Sequence, residues 1–141
     1  MIKKIDHIGI AVRNLDAALD VYERLYGVVP LKIETLPDIH CRMAFIQVGE
    51  VLVELLEPTE PGAGRIGKFL DEKGEGFHHM AYRVENLDAM LERLIAMDVS
   101  LRDRVPRSGG DNSRIAFIEP GVTHNVLTEL VEREKEIEGD R

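Results

Sequence analysis

The chain contains one unit twice, and this constrains its fold more than any other feature. Asp6-His7-Ile8-Gly9-Ile10-Ala11-Val12-Arg13-Asn14-Leu15-Asp16-Ala17 is echoed 72 positions on by His78-His79-Met80-Ala81-Tyr82-Arg83-Val84-Glu85-Asn86-Leu87-Asp88-Ala89, which puts His79 in register with His7. The echo continues at the same offset, from Arg42-Met43-Ala44-Phe45-Ile46-Gln47-Val48-Gly49 to Arg114-Ile115-Ala116-Phe117-Ile118-Glu119-Pro120-Gly121. Three inserted residues then shift the register, and Glu54-Leu55-Leu56-Glu57 matches Glu129-Leu130-Val131-Glu132. Internal repetition of this kind marks one supersecondary unit used twice. Two His and two Glu therefore stand at the same places in two copies.

Within the first copy the periodicity predicts β-α-β-β-β. Ile5 to Val12 alternates as a half-buried strand, with His7, Gly9 and Ala11 on one face and Ile8, Ile10 and Val12 on the other. Asn14 caps a helix that carries Leu15, Ala18, Leu19, Tyr22 and Leu25 at helical spacing, and Gly27 closes it. Strands over 28–36, 41–48 and 51–56 follow, with a turn at 37–40. Residues 59–76 form a linker with a short helix over 65–73, Gly- and Pro-rich at its start. The second copy predicts a strand at 77–84, a helix at 87–97 capped by Asn86, and strands at 99–105, 114–118 and 125–131. Residues 106–113 form a Ser- and Gly-rich loop expected to be mobile. The domain expectation is a first module at 1–58, the linker, a second module at 77–132, and a charged tail at 133–141 that ends the chain solvated or frayed. At 141 residues the whole is one domain. Each copy alone, near 70 residues, sits close to the lower limit of independent stability, so the copies share a sheet. The fold class is α+β, tandem βαβββ modules forming a cupped mixed sheet around a central metal site.

Charge and composition narrow the function. A net charge of -8 argues against a nucleic-acid surface and obliges any anionic substrate to find local positive charge, from Lys, Arg or a cation. The single cysteine, Cys41, excludes an internal disulfide, fits a reducing compartment, and is most simply a small buried hydrophobe. The N-terminus enters a strand pattern with no signal-peptide run, and no stretch reaches transmembrane length, so the expectation is a cytoplasmic protein with no membrane partner.

The repeated His and Glu carry the chemistry. Taken alone, a His at a strand start is more often structural than a ligand. Glu54, however, sits among Leu52, Val53, Leu55 and Leu56, a strand apolar on both faces, where a carboxylate without a compensating partner costs several kcal/mol. Glu129 repeats the problem among Leu127, Thr128, Leu130 and Val131. Pseudo-twofold symmetry would bring His7, Glu54, His79 and Glu129 to one point, a mixed nitrogen and oxygen site for Zn²⁺, Co²⁺, Ni²⁺, Mn²⁺ or Fe²⁺. His78, next to His79, faces the other side of its strand in a core or supporting role. His124 lies in a solvated turn. Asp38 and His40 occupy the turn before the third strand, where Asp is common for turn reasons alone.

These residues resemble a family. Tandem β-α-β-β-β units, each with a His on the first strand and a Glu on the last, look like the vicinal oxygen chelate (glyoxalase-like) superfamily. Within it, Asp6-His7-Ile8-Gly9-Ile10-Ala11-Val12, Glu54-Leu55-Leu56-Glu57-Pro58 and Lys68-Phe69-Leu70-Asp71-Glu72-Lys73-Gly74-Glu75-Gly76-Phe77-His78-His79-Met80-Ala81 resemble the methylmalonyl-CoA epimerases. The resemblance implies an isomerase with a divalent metal at His7, Glu54, His79 and Glu129. It also implies an acyl-CoA substrate chelating through its carboxylate and thioester oxygens, epimerised through a metal-stabilised enolate, and a homodimer. It further implies a Glu base in the turn before the third strand, with the last-strand Glu as a second base. Here that turn reads Leu36-Pro37-Asp38-Ile39-His40, so Asp38 stands at the position of the base and His40 where the family usually has Gly. Catalytic candidates are therefore Asp38, His40 and Glu129. Glyoxalase I resembles the same plan, although its usual Asp-Pro-Asp-Gly turn is replaced by Glu119-Pro120-Gly121-Val122-Thr123. A glyoxalase-type isomerase or lyase on a small thiol conjugate, or a non-catalytic small-molecule-binding protein of the same scaffold, are the alternatives. A ring-cleaving dioxygenase favours a His, His, Glu triad, and a second carboxylate would take an oxygen's place.

Overall fold

A computed structural model describes residues 1–137. The elements run β1 (Ile2–Ala11), α1 (Leu15–Tyr26), β2 (Lys32–Leu36), β3 (Cys41–Val48), β4 (Val51–Pro58), α2 (Gly64–Lys73), β5 (Gly76–Val84), α3 (Leu87–Ala96), β6 (Arg107–Ser108), β7 (Arg114–Ile118) and β8 (Thr128–Glu132). Short 3₁₀ turns lie at Pro37–Ile39, Gly110–Asn112 and Pro120–Thr123. The α+β class and the doubled β-α-β-β-β plan follow. The described residues form two compact units, one of Met1–His7 with His79–Glu136, the other of Ile8–His78 with Ile137. No helix among the described residues is long and apolar enough to cross a membrane.

In the unit of Met1–His7 and His79–Glu136, the strand order is β1-β5-β8-β7-β6. β5 and β8 run parallel, with Ala81 opposite Glu129, and β8 pairs antiparallel with β7, with Glu129 opposite Phe117. Leu87 and Leu91 of α3 pack on Val84, Ala116, Ile118 and Leu130. In the other unit the order is β2-β3-β4-β1, and β4 pairs antiparallel with β3, with Glu54 opposite Phe45. Each repeated Glu thus faces the repeated Phe of the neighbouring strand. Leu15 packs on Val12, Ala44, Ile46 and Leu55, while Ile66 and Leu70 of α2 join Cys41, Met43, Phe45, Leu52 and Leu56.

Local chemistry starts and stops the helices as the sequence demands. Asn14 Oδ1 accepts from the Ala17 amide and Asn86 Oδ1 from the Ala89 amide, each at 3.0 Å. Gly27 ends α1 in the left-handed region at φ 68°, its amide donating to the Glu23 carbonyl. The second Glu of each Glu-x-x-Glu stretch also serves a helix start. Glu57 Oε2 accepts from the Leu15 amide at 2.5 Å, and Glu132 Oε2 from the Leu87 amide at 2.7 Å. A carboxylate there meets both an orphan donor and the positive end of the helix dipole. Arg42 bridges Asp16 and Glu57, and Arg114 bridges Asp88 and Glu132, so the repeat extends to an ion-pair triad.

Three expectations fail. Residues 99–105 do not form a strand. Leu101 makes one isolated bridge to Ile118, and the segment is held irregularly, with the Arg102 and Asp103 amides both donating to the Phe117 carbonyl and Asp103 Oδ2 accepting from the Phe117 amide. The loop at 106–113 is built rather than loose. It holds β6 and a 3₁₀ turn, and the buried Ser113 donates its hydroxyl to the Gly110 carbonyl at 2.8 Å. The tail is anchored as far as it is described. Arg133 and Glu136 form ion pairs, and Ile137 is buried in the Cys41–Leu70 core. Ion pairs with distant residues, invisible to periodicity, account for the first part of that error. Residues 138–141 of the expected tail lie outside the described residues.

Candidate metal centre

β1, β5 and β8 deliver three of the repeated side chains to one buried point. His7, His79 and Glu129 are 3 %, 4 % and 4 % exposed. His7 Nε2 lies 3.0 Å from His79 Nε2 and 2.6 Å from Glu129 Oε2, and His79 Nε2 lies 3.2 Å from the same oxygen. The parallel register of β5 and β8 sets this up, because Met80, one residue past His79, is opposite Thr128, one residue before Glu129. The rings of His7 and His79 meet edge to face at 5.1 Å, and Phe117 packs edge to face on His79 at 5.4 Å, giving the second imidazole an apolar wall.

Asp6 decides what His7 presents. Its Oδ1 is 2.6 Å from His7 Nδ1, so Nδ1 carries the proton and donates, and the neutral ring turns its Nε2 lone pair toward His79 and Glu129. A lone pair 2.6 Å from a carboxylate oxygen is repulsive unless a positive charge lies between them. Burial raises the Glu129 carboxyl, but positive charge on the facing His7 and His79 side outweighs it and holds the group well below the usual carboxylate range, carried by the protonated rings themselves where no cation lies between them. Burial likewise raises Asp6, and the hydrogen bonds from His7 and Arg133 outweigh it and leave it low. Both carboxyls therefore stand as anions.

The donor set fits a divalent cation. The three donor atoms lie 2.6 to 3.2 Å from one another, close enough for a single cation to reach all of them. Two imidazole nitrogens and a carboxylate oxygen suit Zn²⁺, Co²⁺, Ni²⁺, Mn²⁺ or Fe²⁺. One cation would satisfy all three donors together. A carboxylate behind a ligating His is the usual support that fixes its tautomer.

The other predicted residues fall as follows. Glu54 belongs to the Ile8–His78 unit, buried on β4 in the register position that Glu129 holds on β8. In that unit burial, and then the Glu54 charge, push the Cys41 thiol up to about 12, which makes it an inert buried side chain. Asp38 lies exposed in the 3₁₀ turn Pro37–Ile39, and His40 closes that turn, exposed, at φ 54°. His40 lies against α2, where a Cβ on Gly64 would come within 3.3 Å of its Cβ. His78 is buried and packs edge to face on Phe69 at 4.8 Å, a core role, and His124 is exposed at φ 57°. Sequence reasoning missed Asp6. Strand alternation sends Asp6 and His7 to opposite faces, and only the sideways reach of Nδ1 joins them.

The Glyoxalase/Bleomycin resistance protein/Dioxygenase superfamily model matches residues 6–117. The Bacillus subtilis (strain 168) protein YqjC is 40 % identical over 129 residues, covering 92 % of this chain and 91 % of that one. An ethylmalonyl-CoA/methylmalonyl-CoA epimerase of Cereibacter sphaeroides is 29 % identical over 131 residues, covering 92 % of this chain and 98 % of that one. Among solved structures, a variant of Streptomyces coelicolor methylmalonyl-CoA epimerase in complex with 2-nitronate-propionyl-CoA superposes with a TM-score of 0.90 at 35 % identity, over 96 % of this chain and 100 % of that one.

Proposed function

The chain belongs to the glyoxalase/bleomycin resistance protein/dioxygenase superfamily, and from that premise we propose that it is a metal-dependent epimerase of methylmalonyl-CoA, interconverting the 2R and 2S forms. The observation that carries the reading is the convergence of His7 Nε2, His79 Nε2 and Glu129 Oε2 on one buried point. Glu54 is proposed as the fourth ligand, on the strength of its match to Glu129 in sequence and in strand register. The similarity to epimerases over more than nine-tenths of the chain supports the substrate class.

The C2 proton of such a substrate lies between a thioester carbonyl and a carboxylate, and its removal leaves negative charge on the thioester oxygen. A divalent cation held by these side chains supplies the Lewis acidity that stabilises charge developing on a neighbouring oxygen. His7 and His79 would give nitrogen donors, and Asp6 holds the first of them in the tautomer that turns Nε2 to the site. Inversion needs a proton acceptor on one face of C2 and a donor on the other, since a single base tends to return the proton to the side it left. Asp38 or His40 serves one face in this proposal, and Glu129 the other. The short Asp38 side chain and the His40 imidazole share one turn, so either can act from that side.

Incubating the metal-loaded protein with a single epimer of methylmalonyl-CoA tests the assignment. Both epimers are expected to accumulate, while methylglyoxal with small thiols is expected to stay unchanged. Turnover of the thiol conjugate without epimerisation would move the protein to a glyoxalase-type isomerase. Turnover of neither, with tight binding of an aromatic drug by the metal-free chain, would make it a binding protein.

A further inference from the structure

Asp6 is the hub of a charged cluster that the repeat does not contain. Its carboxylate is fully buried and accepts from His7 Nδ1 at 2.6 Å, Arg83 Nε at 2.7 Å, and Arg133 Nε and Nη2, both at 3.0 Å. The Arg133 side chain is itself only 3 % exposed, and its Nη1 donates to the Gly110 carbonyl at 3.1 Å. Arg83 turns its other two nitrogens to Glu136 at 2.7 and 3.2 Å, and that Glu is 69 % exposed. The offsets that align His7 with His79 and Glu54 with Glu129 put His78, Ala11 and Pro58 at the positions matching Asp6, Arg83 and Arg133. Symmetry is therefore broken at Asp6 and at both of the arginines that pair with it.

A buried ion pair is weak grounds for stability, because well-packed apolar residues of the same volume often do as well or better. Its value here is directional. A carboxylate has about four lone-pair sites, and the two guanidinium forks, with their fixed planar geometry, take most of those around Asp6. The oxygen facing Nδ1 is left one orientation, and with it the imidazole of His7 has one. We infer that Asp6, Arg83 and Arg133 are positioning residues for the metal site, and that the segment from Arg133 to Glu136 acts as a latch that fixes the His7 lone pair from behind. The inference rests on the metal-site reading under the proposed function. It extends that site past β8, to a stretch whose charges otherwise look like solvated surface.

The test is Co²⁺ titration of the metal-free full-length chain, followed by calorimetry and by the visible absorption of bound Co²⁺, with the melting temperature of the metal-free protein as a folding control. Asp6→Asn and Arg133→Lys are expected to lose 10- to 100-fold in Co²⁺ affinity, the range typical of outer-shell partners, and to shift the visible bands. Glu136→Gln, on the exposed end, is expected to show a smaller loss in the same direction, and it keeps the test open should Asp6→Asn fail to fold. A role confined to stability would lower the melting temperature while the folded variants bound Co²⁺ with the wild-type spectrum, and that result overturns the inference alone. A wild-type chain that takes up no Co²⁺ overturns the metal site, and the inference with it.

Discussion

Glu129→Gln and His79→Ala are each expected to lower the rate of epimerisation roughly a thousandfold and to leave the purified protein short of metal. A Lewis acid contributes several kcal/mol of charge stabilisation in the transition state, and each 1.36 kcal/mol is a factor of ten in rate, so losing the cation costs about three powers of ten. Glu129→Gln is the cleaner change. It keeps the shape of a side chain that is packed between two imidazoles and removes the negative charge, and with it both a ligand and the base proposed for the second face of C2. His79→Ala also strips the partner of the Phe117 ring, so some loss of stability accompanies the loss of metal. Steady-state kinetics beside elemental analysis of each variant checks this. Full activity in either variant with less than a tenth of the wild-type metal would break the link between site and reaction.

The second large effect belongs to the turn at 37–40. General acid–base catalysis contributes about 10²- to 10⁴-fold, so substituting the residue that serves the first face of C2 is expected to cost that much in inversion while metal content stays at the wild-type level. Asp38→Asn and His40→Gln separate the two candidates. Both side chains are exposed, so neither change opens a cavity, and a fall in rate reports on chemistry rather than folding. The decisive readout is inversion measured against deuterium uptake from heavy water. A variant lacking the base on one face still exchanges the proton of the epimer that the other face serves, but no longer interconverts the two. If the double variant inverts at the wild-type rate, the first-face base is elsewhere.

Much of the site was legible because it is written twice. The repeat singled out His7 and His79, Glu54 and Glu129, and the strand registers place each Glu against the same repeated Phe. What the repeat did not disclose is which Glu of each pair does what. Glu57 and Glu132 recur as faithfully as Glu54 and Glu129, yet they hold helix starts through the Leu15 and Leu87 amides. Asp6 escaped notice because alternation along β1 assigns it to the face opposite His7. Arg133 and Glu136 escaped because a charged stretch with no apolar face reads as solvated, and their partners Asp6 and Arg83 are 127 and 53 residues away. Residues 99–105 misled in the other direction. Val99, Leu101 and Val105 alternate like a strand, but the Asp103 side chain and paired amide donors to one Phe117 carbonyl replace the ladder. Periodicity reports which side chains seek the core, and long-range polar pairing decides the rest.

The account depends most on a cation at His7, His79 and Glu129 being required to release the C2 proton. Deuterium uptake at C2 of methylmalonyl-CoA in heavy water, followed in protein stripped with a chelator and then reloaded with Co²⁺, measures that requirement directly. The expected result is exchange that falls at least a thousandfold on stripping and returns with one equivalent of Co²⁺ per chain in the wild type but not in Glu129→Gln. Exchange at the original rate in the stripped wild-type protein would contradict it.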